Sequence, residues 1–141
     1  QSGAFCSHNA SVEDGFLRAV WPCPRTSPDF AEPGQVTATW APWLDTLHIY
    51  RQVYPQLENH KLQALIEIFD LQAALDAQAV TICPTERRRY HCALYDAIAS
   101  ALLLRRLADE PTLKDASMRW LFLQSAASVA ARDAMGQQEL L

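Results

Sequence analysis

Only two stretches of this chain have the composition of buried strands, Gly3 to Ser7 and Val36 to Trp40. That shortage constrains the fold more than any other feature. Two strands are too few for an independently stable sheet, while the remaining pattern supplies four or five helices. Either the fold is mainly helical, or its sheet is finished by residues outside this chain. With 141 residues, half of them hydrophobic and 20% charged, the chain is long enough for one domain. A domain of that size buries roughly 68–70% of its unfolded surface, enough for a real core.

The helices are read from period and punctuation. Asn9 or Ser11 caps a helix carrying Phe16, Leu17, Val20 and Trp21, with Glu13 and Asp14 in its first turn, where acids suit the helix dipole. Five breakers between Pro22 and Gly34 make Pro22 to Gln35 a loop. Asp45 or Thr46 caps a helix through Leu47, Tyr50, Arg51 and Tyr54, which stops at Pro55. Asn59 caps another, with Leu62, Leu65, Ile66 and Phe69 in an apolar stripe. Leu71 to Tyr90 is ambiguous. A strong helix spans Cys92 to Leu107 and is expected at the centre. A last helix is expected from Pro111 through Trp120 and Phe122, with Gly136 to end it. No repeat appears at a solenoid period.

Composition excludes several function classes. A net charge of −4 rules out a protein that holds nucleic acid by overall positive charge, though not a local basic patch. No apolar run reaches the ~18 residues of a membrane span, and the opening residues do not read as a signal peptide. The cysteines Cys6, Cys23, Cys83 and Cys92 contain no CxxC pair, so reduced thiols in a cytoplasmic protein are expected rather than a zinc site.

Two short segments can carry chemistry. In the second, His91-Cys92-Ala93-Leu94-Tyr95-Asp96-Ala97, an acid sits inside an otherwise apolar helix, which is costly unless it is paired or bound to a metal. Five residues on an ideal helix separate two side chains by about 140°, so His91 and Asp96 converge only if His91 lies in the loop or first turn. There a histidine can act as general base beside a metal-binding acid; the plainer alternative is a helix-start histidine and an acid on a solvated edge. In the first segment, His8 to Leu17, Glu13 and Asp14 are equally readable as first-turn acids.

Taken together and in order, these segments resemble a known family. Asn9 with Glu13 and Phe16-Leu17, then Trp43-Leu44-Asp45-Thr46-Leu47, then Asn59-His60-Lys61-Leu62, then the ungapped His91-Cys92-Ala93-Leu94-Tyr95-Asp96-Ala97 resemble the DEDDh (DnaQ-like) 3′–5′ exonucleases. This is the family of the DNA polymerase III proofreading subunit and ribonuclease T. The resemblance implies an α/β, RNase H-like fold, represented mainly by its helix-rich C-terminal part. It also implies a site in which four carboxylates hold two Mg²⁺ or Mn²⁺ ions. By position, Asp96 and Glu13 would be metal ligands and His91 the general base. Asn9, Ala10 and Ser11 would lie at the 3′ nucleotide of a single-stranded or 3′-terminal nucleic acid. Independently of the resemblance, the Arg87-Arg88-Arg89 run just before His91 reads as a grip on phosphates near the site, with Arg89 nearest, or else as a solvated loop.

The chain departs from the family pattern in two ways. Glu13 stands where the family has Asp, and Mg²⁺ is strict about geometry. The family's first motif, Asp-x-Glu, occurs nowhere in the sequence. The expectation is therefore a C-terminal portion, residues 1–107, with an additional helical segment, 108–141, packed on it. The missing part of the site would come from a preceding segment or a second copy. The alternative is a catalytically degenerate exonuclease-fold module used for nucleic-acid or protein binding; an unrelated helical interaction domain is the third reading.

Overall fold

The computed structural model describes residues 4–21, 26–28, 34–37 and 42–125. It is an α/β arrangement, mostly helical, that fits the helix-rich part of an RNase H-like fold. The chain runs β1 (Phe5–Ser7), α1 (Ala10–Val20), β2 (Ser27–Pro28), β3 (Val36–Thr37), β4 (Trp43–Asp45), α2 (Thr46–Val53), α3 (Leu62–Ile68), α4 (Gln72–Ile82), α5 (Ala93–Arg106) and α6 (Met118–Ser125). Single 3₁₀ turns occupy Thr85–Arg87, Leu107–Asp109 and Pro111–Leu113.

β1 and β4 pair in parallel, in the register Phe5 with Trp43, Cys6 with Leu44 and Ser7 with Asp45. Phe5 and Trp43 stack across this pair at 5.0 Å. β2 and β3 make a separate antiparallel pair, Ser27 with Thr37 and Pro28 with Val36. The stretch expected as loop from Pro22 to Gln35 thus contains a strand, since Ser27–Pro28 find an edge to pair with in Val36–Thr37. Residues 22–25 (with Cys23) and 29–33, the end of the strand expected to reach Trp40, and the end of the last helix beyond Ser125 fall outside the described residues.

The core is helical. Ile49 and Tyr50 of α2, Leu65 and Ile66 of α3, Leu75 and Ala79 of α4, and Tyr95, Ala99 and Leu103 of α5 are all buried. The α5 set recurs every fourth residue, the stripe a central helix needs. Tyr50 is fully buried because its hydroxyl donates to the Leu103 carbonyl at 2.9 Å, which satisfies a group otherwise costly to desolvate. α5 also packs against β1, and its small Ser100 brings a backbone carbonyl within 3.9 Å of the Cys6 sulfur.

Several helices start differently from their sequence signals. Asn59 does not cap α3 directly: its Oδ1 accepts from Lys61 N–H at 2.9 Å, and the helix starts at Leu62. The segment Pro111–Leu113 is a 3₁₀ turn separate from α6, because Ser117 opens that helix instead, its hydroxyl accepting from Trp120 N–H. α6 packs on β4 and α2. The ambiguous stretch from Leu71 resolves into α4. It ends at Cys83-Pro84, and the Arg88 guanidinium donates to the carbonyls of Val80 and Cys83. No helix among the described residues is long and apolar enough to cross a membrane.

Candidate active site

The carboxyl ends of β1 and β4 lie side by side, at Ser7 and Asp45. Beyond such strand ends, open α/β sheets form their ligand crevices. Here a cleft of about 1250 Å³ opens between the β1–α1 junction, the start of α5 and the segment leading into α3.

The floor of this region is organised by Asp45, which is almost fully buried. Its Oδ1 accepts from Leu47 N–H at 3.0 Å, capping α2 as the sequence suggests. The same carboxylate also accepts from Asn9 N–H and Ala10 N–H, both at 2.9 Å. One side chain therefore satisfies orphan donors at the starts of two helices. Asn9 has no side-chain cap bond and takes a left-handed conformation, φ 73°. His48, for which the sequence offers no partner, lies 3.7 Å from the Asp45 carboxylate.

His8 ties this junction to the next wall. Its Nδ1 is 3.0 Å from Thr46 Oγ1, and its Nε2 is 2.9 Å from the His60 carbonyl. A carbonyl only accepts, so Nε2 carries a proton. Burial holds this histidine below its ordinary range; the His60 carbonyl and Asp45 charge oppose that, and the fields of Arg51 and His60 reinforce it.

The second segment reaches the cleft from the other side. His91 lies in the turn before α5, in the left-handed region at φ 67°. Its N–H donates to both oxygens of Asp96, at 3.1 and 3.3 Å. Five residues thus converge because the first precedes the helix, the condition that ideal helical spacing imposes. Asp96 is half-buried, and its carboxyl is raised above the ordinary 3.8. Burial is the main cause and the Glu13 charge adds to it, against the lowering effect of the His91 N–H and charge. Glu13 reaches the cleft from α1 and accepts from the Ser7 hydroxyl at 3.0 Å. Asp14 is turned elsewhere, bound by Trp43 Nε1 and Arg18.

Of the residues nominated from sequence, Glu13, His91, Asp96 and Asn9 line one cleft. The other three lie outside its lining. Ala10 is buried with its N–H on Asp45, Ser11 is exposed with its hydroxyl on Asn9 Oδ1, and Arg89 is exposed. Sequence reasoning missed Ser7, Arg51 and His8 as parts of this region. Ser7 and His8 act through contacts formed only in three dimensions, and Arg51 looks like any polar residue of an amphipathic helix.

A pair of divalent ions does not fit the donors among the described residues. Among the described residues, no three His, Cys, Asp or Glu side chains are arranged to hold a metal. The lining offers three carboxylates, Glu13 and Asp96 within reach of one another's charge and Glu58 on the side of Lys61, where two ions want four at one place. No ion-dependent step is assigned to these residues by themselves.

No protein-family model matches the sequence, and no solved structure matches it. Two curated proteins do match. The chain is 32% identical over 109 residues to the DNA polymerase III PolC-type of Halalkalibacterium halodurans, covering 77% of this chain and 6% of that protein. It is 31% identical over 111 residues to the DNA polymerase III PolC-type of Bacillus subtilis strain 168, covering 79% of this chain and again 6% of the relative. The chain is thus similar, over most of its own length, to a short segment of DNA polymerase III of the PolC type.

Proposed function

We propose that this chain contributes the second and third motifs of a DEDDh-type 3′–5′ exonuclease acting on a nucleic-acid 3′ end. The observation that carries the reading is the convergence of Glu13, from the β1–α1 junction, with His91 and Asp96, from the start of α5, on one cleft. The similarity to DNA polymerase III of the PolC type supports it, since the motifs resemble those of the exonuclease family to which a DNA polymerase III proofreading subunit belongs.

In this reading His91 is the general base. Its backbone is anchored by Asp96, so the imidazole is presented to the cleft from a fixed point. A neutral imidazole there can accept the proton of a water attacking the terminal phosphodiester. Glu13 and Asp96 are half of the donor set for two Mg²⁺ or Mn²⁺ ions, which when bound would polarise the phosphate and lower the pKa of that water. The described residues do not complete that set, and in this reading a preceding segment or a second copy supplies the remainder.

The test is a nuclease assay with Mn²⁺ on a parent protein that contains this segment, beside His91→Ala and Asp96→Ala. Each substitution is expected to lower kcat by roughly 10²–10⁴-fold, the usual worth of a positioned acid–base group. Undiminished hydrolysis in both overturns the reading. The chain of residues 1–141 on its own is expected to show no hydrolysis.

A further inference from the structure

The cleft has three chemically distinct walls. One carries the acids and His91. A second is apolar, with Phe16 of α1 69% exposed and Phe5 stacked on Trp43. The third is formed by α2 and the segment entering α3, and it presents Arg51 and Lys61.

Among the described residues, these two are the Lys and Arg side chains that line the cleft. Elsewhere Arg18 pairs with Asp14, Arg106 with Glu110, and Arg88 bonds backbone carbonyls at the end of α4. Arg51 and Lys61 form no ion pair with a described residue. Glu58 shares their wall without pairing to either, while Glu13 and Asp96 lie on the first wall, so the cleft's two cations are grouped apart from its paired acids. Their placement is fixed from below. His8 bonds Thr46, the first residue of the helix that carries Arg51, and the carbonyl of His60, the residue before Lys61. The positive fields of Arg51 and His60 both reach His8.

We propose that Arg51 and Lys61 bind the phosphodiester backbone of a single nucleic-acid strand whose bases rest on the apolar wall and whose 3′ end reaches Glu13, His91 and Asp96. The proposal rests on the exonuclease reading and assigns it a substrate path. Cations on one side and aromatic rings on the other form the combination that holds single strands without sequence preference. A duplex hides its base faces from such rings, whereas an unstacked strand offers them. The volume of about 1250 Å³ exceeds the ~300–1,000 Å³ usual for a small-molecule pocket, which suits an oligomer rather than a single nucleotide.

The test is fluorescence anisotropy on the full chain with a labelled oligothymidylate of about a dozen nucleotides, within the range of known single-strand sites. Chelator is present throughout, and KCl is varied. Arg51→Gln and Lys61→Gln are each expected to reduce the slope of log K against log salt by about 0.7, and the double variant by about twice that. Arg105→Gln, exposed and outside the cleft, leaves the slope unchanged. An oligouridylate gives the same differences, since the contact is to phosphate. All these residues are exposed, so thermal melts of the variants match the wild type. An unaltered slope in the double variant overturns the proposal, as does failure of the wild type to bind the oligonucleotide. Binding of poly-glutamate in its place assigns the wall to an acidic protein and overturns it too. None of these outcomes touches the dependence of hydrolysis on His91 and Asp96, which the nuclease assay decides separately.

Discussion

At Asp96 one carboxylate serves two opposed demands. It accepts the His91 N–H and so fixes the turn before α5, yet it is partly desolvated beside the Glu13 charge, and its carboxyl is raised above the ordinary 3.8. The folded state therefore holds this proton more tightly than the unfolded chain does. Its contribution to stability is present at low pH and is lost as pH rises from the ordinary value through the raised one. Asp96→Asn keeps an acceptor for His91 and removes the charge. It is expected to be more stable than the wild type near pH 7, with the difference closing toward about pH 4. Urea unfolding across that range measures it, and a less stable Asn variant at neutral pH contradicts the account. This pairing was half legible in the sequence, since the five-residue spacing demands that His91 stand outside the helix. The left-handed backbone of His91 was not legible. A histidine rarely adopts it, and such residues persist where surrounding contacts over-determine them, often at functional sites.

At the scale of elements, Asp45 joins what local rules treat separately. Its role as the cap of α2 is written in the sequence beside it. Its hold on the start of α1 is not, because the donors lie 36 and 35 residues away. Asp45→Ala removes the acceptor for three backbone N–H groups in a nearly water-free setting, and about 2–4 kcal/mol of stability is expected to go with it. Asp45→Asn, which retains one oxygen, is expected to lose about half as much. Chemical denaturation of the three proteins checks the order, and an Ala variant as stable as the wild type refutes it. α4 resisted sequence reading for a different reason. Only Leu75 and Ala79 are buried in it, while Val80 and Ile82 are exposed, so its apolar residues mark no single face.

For the whole molecule, the two stretches of strand composition became strands but not partners: β1 pairs with β4, and β3 pairs with β2 inside the expected loop, because composition marks a strand without naming the neighbour that completes it. β1 and β4 form a two-stranded sheet, and α1 keeps Val12, Phe16 and Val20 exposed at fourfold spacing along one side. The four ordered motifs foretold which segments would meet, though not how much of the cleft they would line. Ala10 and Ser11 followed from motif position and Arg89 from a run of charge, and position along a chain does not fix which way a side chain faces.

The contact between β1 and α5 leaves Cys6 pressed against the Ser100 carbonyl, its thiol pushed by burial, and secondarily by the Asp45 charge, from 9.0 up to about 11. A sulfur so reluctant to ionise is about a hundredfold poorer as a nucleophile source than its ordinary counterpart. Cys6 is half-buried and borders the cleft, so iodoacetamide should reach it yet alkylate it about a hundredfold more slowly than an ordinary thiol at neutral pH. Labelling followed by mass spectrometry as pH is raised should show its rate climbing toward about pH 11, and prompt alkylation at neutral pH contradicts the raised value.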